Sequence, residues 1–513
     1  MLIALANVRL VLAAVDSCML VGLEARRVEV QADIANGEVK FLLVGLAATS
    51  VKEARERVRS AIKNSGLEFP SRRLTVNLAP AELRKEGSAL DLPIAVSIAL
   101  ARAGKTAPPR SAFLGELALD GEVRHVDGVL VATRGLRFLG YDRIFVPAAD
   151  ASEAALVHGI EVIPCRTLIG VVAHLLGDDQ IAPLLPHDVT GPGIDQPPEH
   201  DLAEIHGQEE GRRALEVAAA GGHHLLLTGP PGSGKTMLAG CLPGVLPPLE
   251  LVEALEVAQV RSLLGELPGG SPLDWTRPFR APHHGVSMAG LIGGGGGIAL
   301  PGEISRANHG VLFLDELAEF QTPVLQALRQ PMESGRVTLT RSGGSVVYPA
   351  RFTLAAATNP CPCGWAGDAL RRCRCTPGAI DGYRRRLSGP LLDRIDLQVA
   401  VRRVSVENLA SEPRGEASAP VRARVVAARR RQLDRQGCLN AQLRPARLRN
   451  VASLMPGPRR TLERWADQRG LTARGFHRAW RVARTSADLD FSNEIEEPHI
   501  LEALGFRLEE IAA

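Results

Sequence analysis

Gly229-Pro230-Pro231-Gly232-Ser233-Gly234-Lys235-Thr236 is the stretch that decides the fold of this 513-residue chain. Its G-x-x-x-x-G-K-T pattern, between the apolar run 224–228 and a helical start, is typical of a phosphate-binding loop, whose backbone N–H groups surround a polyphosphate at a helix N-terminus. We expect Lys235 to reach the β and γ phosphates of ATP and the Thr236 hydroxyl to hold Mg²⁺. Only six of the 60 Lys and Arg residues are Lys. Because the chain uses Arg almost everywhere else, a Lys at position 235 indicates that a compact point charge is required there. The alternative is a Gly/Pro-rich turn that precedes Lys-Thr by chance.

A second motif is the run Gly310-Val311-Leu312-Phe313-Leu314-Asp315-Glu316, in which an apolar stretch of strand length ends in two carboxylates. Burial on both faces suits a central parallel strand, and ligands bind at the carboxyl ends of such strands. We therefore expect Asp315 to contact the Mg²⁺ shell and Glu316 to activate the attacking water. The alternative is a buried strand followed by an acidic helix cap.

The cysteines form a third pattern, because four of the eight fall within 15 residues: Cys361, Cys363, Cys373 and Cys375. In a reducing compartment, such clustering favours a metal over disulfides, and four thiolates make a tetrahedral Zn²⁺ site. The C-x-C spacing departs from the commoner C-x₂-C arrangement, so free thiols are the alternative. The arginines among these cysteines, Arg371, Arg372 and Arg374, are expected to lower the pKa values of the thiols and to contact DNA.

The length and amino-acid composition limit the classes of protein to which this chain could belong. The length predicts two to four domains, and 45% hydrophobic residues are enough to fill their cores. The sequence has no uninterrupted apolar run of membrane-spanning length, and Asn7, Arg9 and Asp16 interrupt the N-terminus. We therefore expect a cytoplasmic protein without a signal peptide or membrane partner. Arginine is concentrated in the last third, which indicates either solvated helices or a surface that binds nucleic acid or an acidic partner.

The order of elements predicts an α/β protein in four parts. Residues 1–176 alternate β-like and helix-like runs, and residues 177–201 are rich in Pro, Gly and acidic residues, as in an exposed linker. Residues 202–402 hold the phosphate loop and its companions on a parallel sheet with helices on both faces. Residues 403–513 are helical in composition and form the expected lid.

Two further features lie within 202–402. The chain from 246 to 308 is too long for a simple connection and predicts an insertion, with five glycines at 293–297 as a flexible tip. Its adjacent His283 and His284 are interpreted as hydrogen-bonded structural residues. The alternating runs 336–340 and 345–348 around Gly343-Gly344 predict a β-hairpin. Thr322 as N-cap, with Pro323 at the first helical position, predicts a helix that continues to Met332.

Several N-terminal motifs resemble those of the ComM/YifB family of magnesium-chelatase-like AAA+ ATPases: Val44-Gly45-Leu46, Asn77-Leu78-Ala79-Pro80-Ala81, Lys85 to Pro93, and Leu114-Gly115-Glu116-Leu117. The resemblance extends over nearly the whole chain. It implies an N-terminal domain similar in fold to the Lon protease domain. However, the positions of the Lon catalytic Ser and Lys fall on Ala89 and near Leu130, and Ser88 is a poor substitute without a nearby base. We therefore expect this domain to be proteolytically inactive.

The same resemblance implies roles for three more residues. Asn359 resembles sensor 1, which hydrogen-bonds the γ-phosphate or the lytic water. Arg394, in the sequence Leu391-Leu392-Asp393-Arg394, resembles the arginine finger that enters the ATP site of a neighbouring subunit, although it could instead pair with Asp393 or Asp396. Arg474 resembles sensor 2 and would contact the γ-phosphate across the interdomain cleft. The cysteine cluster also resembles a feature of the family, and the insertion and hairpin would face a central pore.

Together these motifs predict a ring-forming ATPase, with the six subunits usual for AAA+ proteins. The resemblance implies a helicase that acts on single-stranded or branched DNA, promoting branch migration as transforming DNA is integrated with recombination proteins. One alternative is a motor subunit of a magnesium chelatase. An ATP-dependent peptidase is a further alternative, weakened by the missing Ser–Lys pair.

Overall fold

Two separate sheets organise the molecule. The computed structural model describes residues 11–45, 49–83, 85, 87–186, 191, 199–267, 273–295, 299–341, 344–368, 370–387, 389–404 and 415–507. Throughout these ranges, no helix has both the length and the apolar character needed to cross a membrane.

The first sheet belongs to the N-terminal region. Its strands are β1 (Val11–Val21), β2 (Glu24–Ala35), β3 (Phe41–Val44), β4 (Arg73–Ala79), β5 (Ser111–Phe113), β8 (Arg143–Pro147) and β9 (Glu161–Cys165), and a separate short pair consists of β6 (Glu116–Leu117) and β7 (Val123–Arg124). The helices are α1 (Thr49–Asn64), α2 (Asp91–Ala103), α3 (Val129–Phe138), α4 (Ala151–Ala154) and α5 (Leu168–Leu176).

The described residues make a seven-stranded mixed sheet in the order β3-β4-β2-β1-β5-β8-β9. Strand β2 pairs antiparallel with both β1 and β4, whereas β5, β8 and β9 continue the sheet in parallel. Alternate residues of β2, Val28, Val30 and Ala32, point into the core, as the two-residue period of a strand requires. Helix α2 is apolar on nearly every side and is buried against β1 and β2.

The second sheet carries the phosphate loop. The strands that follow the first sheet are β10 (Leu225–Thr228), β11 (Phe279–Arg280), β12 (Gly293–Gly294), β13 (Leu300–Pro301), β14 (Val311–Leu314), β15 (Arg336–Arg341), β16 (Gly344–Pro349), β17 (Thr353–Thr358) and β18 (Leu397–Ala400). The helices are α6 (Glu209–Gly221), α7 (Lys235–Gly240), α8 (Leu242–Val245), α9 (Leu251–Leu263), α10 (Met288–Ile292), α11 (Glu303–Arg306), α12 (Thr322–Ala327), α13 (Arg329–Ser334), α14 (Pro377–Arg386) and α15 (Gly389–Leu392).

Five of these strands form a parallel sheet in the order β11-β14-β17-β10-β18. The four residues of β14 are all buried, as expected for a strand covered by helices on both faces. Because β14, β17 and β10 are neighbours and parallel, their carboxyl ends meet at one edge of the sheet. The phosphate loop, Asp315 and Asn359 each follow one of these three ends.

Helices make up the C-terminal region. They are α16 (Ser418–Gln436), α17 (Pro445–Val451), α18 (Pro456–Arg469), α19 (Ala473–Leu489) and α20 (Glu497–Gly505). Their apolar residues share one hydrophobic core with α6 and β10, as Val425, Val482, Leu215 and Leu225 show. The structure thus confirms the predicted α/β class, with a parallel-sheet core and a helical C-terminal region.

The N-terminal region packs against the start of the predicted insertion. Leu130 is buried in an apolar cluster with Leu249 and Val257, and the Gly128 N–H donates to the Ser262 carbonyl at 2.9 Å. The Ser88 hydroxyl donates to the Glu116 carboxylate, so the expectation that no proton-accepting group lies near Ser88 is wrong. The position that a Lon-type Lys would occupy is therefore used for apolar packing between two parts of the chain.

Some local predictions need correction. Thr322 is the first residue of a helix and Gln321 is its N-cap, and the predicted single helix is two, α12 and α13. The break has a physical cause, because Pro331 has no N–H to donate to the Ala327 carbonyl. The predicted hairpin is confirmed as β15 and β16. Much of the predicted linker, 187–190 and 192–198, lies outside the described residues, and the domain boundaries stay predictions.

Candidate nucleotide-binding site and cysteine cluster

The phosphate loop joins β10 to α7. Gly232 and Gly234 have φ angles of 74° and 88°, in the left-handed region that side chains disfavour, so this path requires glycine. Ser233 is buried between them, and its hydroxyl has no hydrogen-bond partner among the described residues. A buried hydroxyl of this kind fits a loop built to receive phosphate oxygens.

Lys235 points back into the loop. Its ammonium donates to the carbonyls of Gly229 at 2.7 Å and Pro230 at 2.9 Å, and to Asn359 Oδ1 at 3.3 Å. Burial lowers the pKa of Lys235, and the carboxylates of Asp315 and Glu316 oppose that effect. The structure therefore brings together the predicted loop lysine and the predicted sensor 1 asparagine.

The carboxylates after β14 lie beside the start of α7. The Thr236 hydroxyl donates to Asp315 Oδ2 at 2.8 Å, and the Glu316 N–H donates to Asp315 Oδ1 at 2.9 Å. Glu316 has a φ of 52°, an uncommon conformation for a residue with a side chain, and such conformations concentrate at functional sites. Thr236 and Asp315 present adjacent oxygens of the kind Mg²⁺ prefers, so this pair fits the predicted ion.

The four cysteines of the predicted cluster come together. Their sulfurs all lie within 4.8 Å of one another, and Cys361 Sγ is 3.4 Å from Cys363 Sγ and 3.6 Å from Cys373 Sγ. A tetrahedral zinc site with Zn–S bonds of about 2.3 Å would place its sulfurs about 3.8 Å apart. The cluster could therefore bind a metal ion with little rearrangement.

Backbone N–H groups point at the cluster. Ala366 N–H donates to Cys361 Sγ at 3.3 Å, and Cys375 N–H donates to Cys373 Sγ at 3.4 Å. Hydrogen bonds from the Arg374 and Trp365 N–H groups lower the pKa of the Cys363 thiol to about 6. The sequence predicted lowered pKa values for the cluster thiols from arginine side chains, which is confirmed in direction for Cys363, with the backbone as cause, and is wrong for two others. Although backbone N–H groups act to lower them, desolvation and the neighbouring thiols raise the pKa values of Cys373 and Cys375, the latter to about 12.

The cluster also packs on the phosphate loop. A Cβ atom added to Gly364 would lie 2.6 Å from Pro231 Cδ, so a larger residue would push the two loops apart. Cys361 follows Asn359 by two residues. The cluster therefore packs against Pro231 and lies beside Asn359, the predicted sensor 1 residue.

Arg394 and Arg474 lie near the same carboxylate. Arg394 Nη2 is 2.6 Å from Glu333 Oε1, and Arg474 Nη2 is 4.0 Å from that oxygen. Asp396, the alternative partner considered for Arg394, contacts Arg478 and His223. Burial opposes ionisation of Asp396, but the adjacent His223 imidazole and the Arg478 charge outweigh it and hold the pKa of Asp396 below the usual range. A phosphate contact for either Arg394 or Arg474 stays a prediction.

Comparison with known proteins gives the family. The protein YifB of Salmonella typhimurium is 43% identical over 502 residues, which are 97% of each chain. The competence protein ComM of Haemophilus influenzae is 43% identical over 503 residues, again 97% of each chain. The chain belongs to the ComM/YifB family of magnesium-chelatase-like proteins.

Models of magnesium-chelatase subunits match three parts of this ComM/YifB family member. The model for magnesium chelatase, subunit ChlI, matches residues 201–409, that for subunit ChlI of Mg-chelatase matches 30–150, and that for the ChlI C-terminal region matches 415–507. The magnesium-chelatase 38 kDa subunit of Rhodobacter capsulatus is 29% identical over 180 residues, which cover 32% of this chain and 51% of that subunit. The likeness to this chelatase subunit is therefore partial and distant.

Two residues of this ComM/YifB family protein were not predicted as part of the site. The first is His284, whose Nδ1 lies 3.5 Å from Glu316 Oε2, and the second is Glu333. The neighbouring His283 accepts a hydrogen bond from the Gly285 N–H, as expected of a structural residue. A signal existed for His284, because it follows β11, the strand beside β14. No sequence pattern indicated Glu333, which lies far from both arginines along the chain.

The insertion and the hairpin contact each other. The Tyr348 hydroxyl donates to the Ala299 carbonyl at 2.6 Å, and a Cβ on Gly293 would lie 2.8 Å from Leu339 Cδ1. Gly293 and Gly294 form β12, which pairs with Leu300 and Pro301 of β13. These two glycines are therefore not part of the flexible tip that the sequence predicted. Gly296 and Gly297, and the hairpin tip with the Arg341 side chain, lie outside the described residues.

Proposed function

We propose that this protein is a ring-forming ATPase that moves DNA. The observation that carries the ATPase proposal is the contact of the Lys235 ammonium with Asn359, beside the Thr236–Asp315 hydrogen bond. These contacts connect the three strand ends where a nucleotide binds in open α/β sheets. Lys235 and the loop N–H groups would bind the phosphates, and Thr236 and Asp315 would hold Mg²⁺, which neutralises phosphate charge when bound.

Hydrolysis would be assisted by Glu316 and Asn359. The Glu316 carboxylate would orient and deprotonate a water for attack on the γ-phosphorus, and the bond from the γ-phosphorus to the bridging oxygen of ADP would break. Asn359 would hydrogen-bond the γ-phosphate or that water. Such a reaction depends on positioning and charge neutralisation more than on covalent catalysis, and these residues supply both.

Arginines from a neighbouring subunit would complete each site. We propose that Arg394 contacts the γ-phosphate of the adjacent subunit. The sequence predicted a contact of Arg474 with the γ-phosphate across the interdomain cleft; because Arg474 lies by Glu333, the carboxylate that Arg394 also contacts, we propose instead that it faces the same phosphate as Arg394. This role entails an oligomer, and a hexamer is the proposed form. Arginine suits the role because its planar donors fit phosphate oxygens in pairs.

The proposed substrate is single-stranded or branched DNA, within the cytoplasm. Three features support DNA: the contact between the insertion and the hairpin, the exposed arginines interleaved with the cluster cysteines, and the 43% identity to a protein named for competence. We propose branch migration during recombination of transforming DNA, together with recombination proteins.

The DNA proposal predicts that ATP hydrolysis by the full chain rises several-fold with forked DNA, more than with protoporphyrin plus chelatase partners or with unfolded protein. A labelled fork should be unwound only when ATP is hydrolysed, so Lys235→Ala protein serves as the control. ATP hydrolysis that ignores DNA of every structure would contradict a DNA motor. A rise with the porphyrin would favour the chelatase alternative instead.

We also propose structural Zn²⁺ at the cysteine cluster. Metal analysis of purified protein should give about one Zn²⁺ per chain, and the Cys363→Ser/Cys373→Ser variant should hold none. Because the cluster packs against Pro231 and lies beside Asn359, its loss should lower the first melting transition by about 5 °C or more. ATP turnover should fall with it.

Cys438→Ser is the matched control, because Cys438 is half-buried but lies outside the cluster. It should keep the metal content and the melting behaviour of the wild type. Zinc-free protein, together with a double variant that melts and turns over ATP as the wild type does, would show that the thiols are free.

A further inference from the structure

Glu333 contacts Arg394 and Arg474, the two arginines proposed to act on the nucleotide of a neighbouring subunit, and the proposed function gives it no role. It lies at the end of α13, and its carboxylate is 2.6 Å from Arg394 and 4.0 Å from Arg474. The side chain of Arg394 is 11% exposed, whereas those of Glu333 and Arg474 are 54% and 61% exposed. Glu333 thus forms the more solvent-exposed side of its ion pair with Arg394.

The chemistry of this contact resembles that of phosphate recognition. A carboxylate and a phosphate both present paired anionic oxygens to a guanidinium, so they compete for the same N–H donors. We infer that Glu333 is a positioning residue that occupies Arg394 and Arg474 until the γ-phosphate of the adjacent subunit displaces it. This inference rests on the proposed function, because it requires both arginines to act on a neighbour's nucleotide.

The position of Glu333 links this exchange to the hairpin. The hydroxyl of the next residue, Ser334, lies within hydrogen-bond distance of the Gln330 and Arg336 carbonyls and accepts from the Arg336 N–H at 3.3 Å, and Arg336 is the first residue of β15. Movement of Glu333 away from Arg394 would therefore act directly on the base of β15. The nucleotide state of one subunit would reach the proposed DNA-contacting hairpin of its neighbour through this carboxylate.

The inference predicts that loss of the Glu333 charge activates the enzyme without DNA. In Glu333→Gln protein, the competing carboxylate of Glu333 is lost, so DNA-free turnover at subsaturating ATP should rise about threefold, the size expected for a partly exposed ion pair. The KM for ATP should fall, and the ratio of rates with and without forked DNA should shrink by a similar factor. Glu333→Asp keeps a carboxylate and should stay nearer the wild type.

Glu463→Gln is the matched control, since Glu463 is a half-exposed helical carboxylate paired with an arginine, Arg459, at 2.7 Å. It should leave turnover unchanged. The double variant Glu333→Gln/Arg394→Ala should be as slow as Arg394→Ala alone, because Glu333 acts through Arg394.

Two outcomes separate this inference from the proposed function. If Arg394→Ala protein loses turnover while Glu333→Gln protein shows the KM and DNA response of the wild type, or is slower, the inference is wrong and the motor proposal stands. If Arg394→Ala protein hydrolyses ATP normally, both fail. A lower melting temperature and lower turnover in both Glu333 variants would indicate a structural role and would also overturn the inference.

Discussion

Glu316→Gln protein should hydrolyse ATP about 10³-fold more slowly than the wild type, since a positioned general base contributes about 10²- to 10⁴-fold. The amide has nearly the shape of the carboxylate, but it cannot take a proton from water. ATP binding should persist, because Lys235 and the loop N–H groups are unchanged. Steady-state phosphate release and binding of a fluorescent ATP analogue measure the two effects separately.

Glu319→Gln provides the control for this change. Glu319 lies on the same segment after β14 and makes a 3.8 Å contact with Arg386, away from the phosphate loop contacts described above. Its substitution should leave turnover close to that of the wild type. Normal turnover in Glu316→Gln protein would show that another group activates the water, whereas loss of ATP binding would show that the change disturbed the site itself.

The contacts of the phosphate loop could be predicted from sequence because each residue follows a buried strand. Lys235, Asp315 and Asn359 come after β10, β14 and β17, and parallel neighbouring strands bring their carboxyl ends together whatever the intervening loops do. The cysteine cluster was predictable for a similar reason, since thiolates so close along the chain can reach one ion. Local patterns were sufficient for both groups.

Contacts between distant elements were not accessible in this way. Glu333 contacts Arg394 and Arg474 only because α13, the turn after α15 and the start of α19 come together in the fold. No local pattern of residues in the sequence predicts such a contact. The glycines at 293 and 294 show the same limit. Their composition indicated flexibility, but a strand partner and the Leu339 side chain fix them.

Arg394→Ala protein should lose about 10³-fold or more of its ATP turnover, because an arginine finger contributes about 10³- to 10⁵-fold. Affinity for ATP should change less, since Lys235 and Thr236 of the nucleotide-holding subunit are intact. Turnover is measured at protein concentrations where light scattering shows the oligomer. Arg430→Ala is the control, because Arg430 is an exposed helical arginine that contacts Asp434 at 3.9 Å.

Mixing two inactive variants tests whether Arg394 acts in trans. A Glu316→Gln subunit still carries Arg394, and an Arg394→Ala subunit still carries Glu316, so one arrangement of neighbours rebuilds a complete site. With equal amounts and random assembly, about a quarter of the interfaces in a head-to-tail ring are complete, and turnover should recover to a comparable share of the wild type. A residue acting within its own subunit would give no recovery. Absence of activity in mixed rings, or full turnover by Arg394→Ala protein alone, would therefore contradict a site shared between subunits.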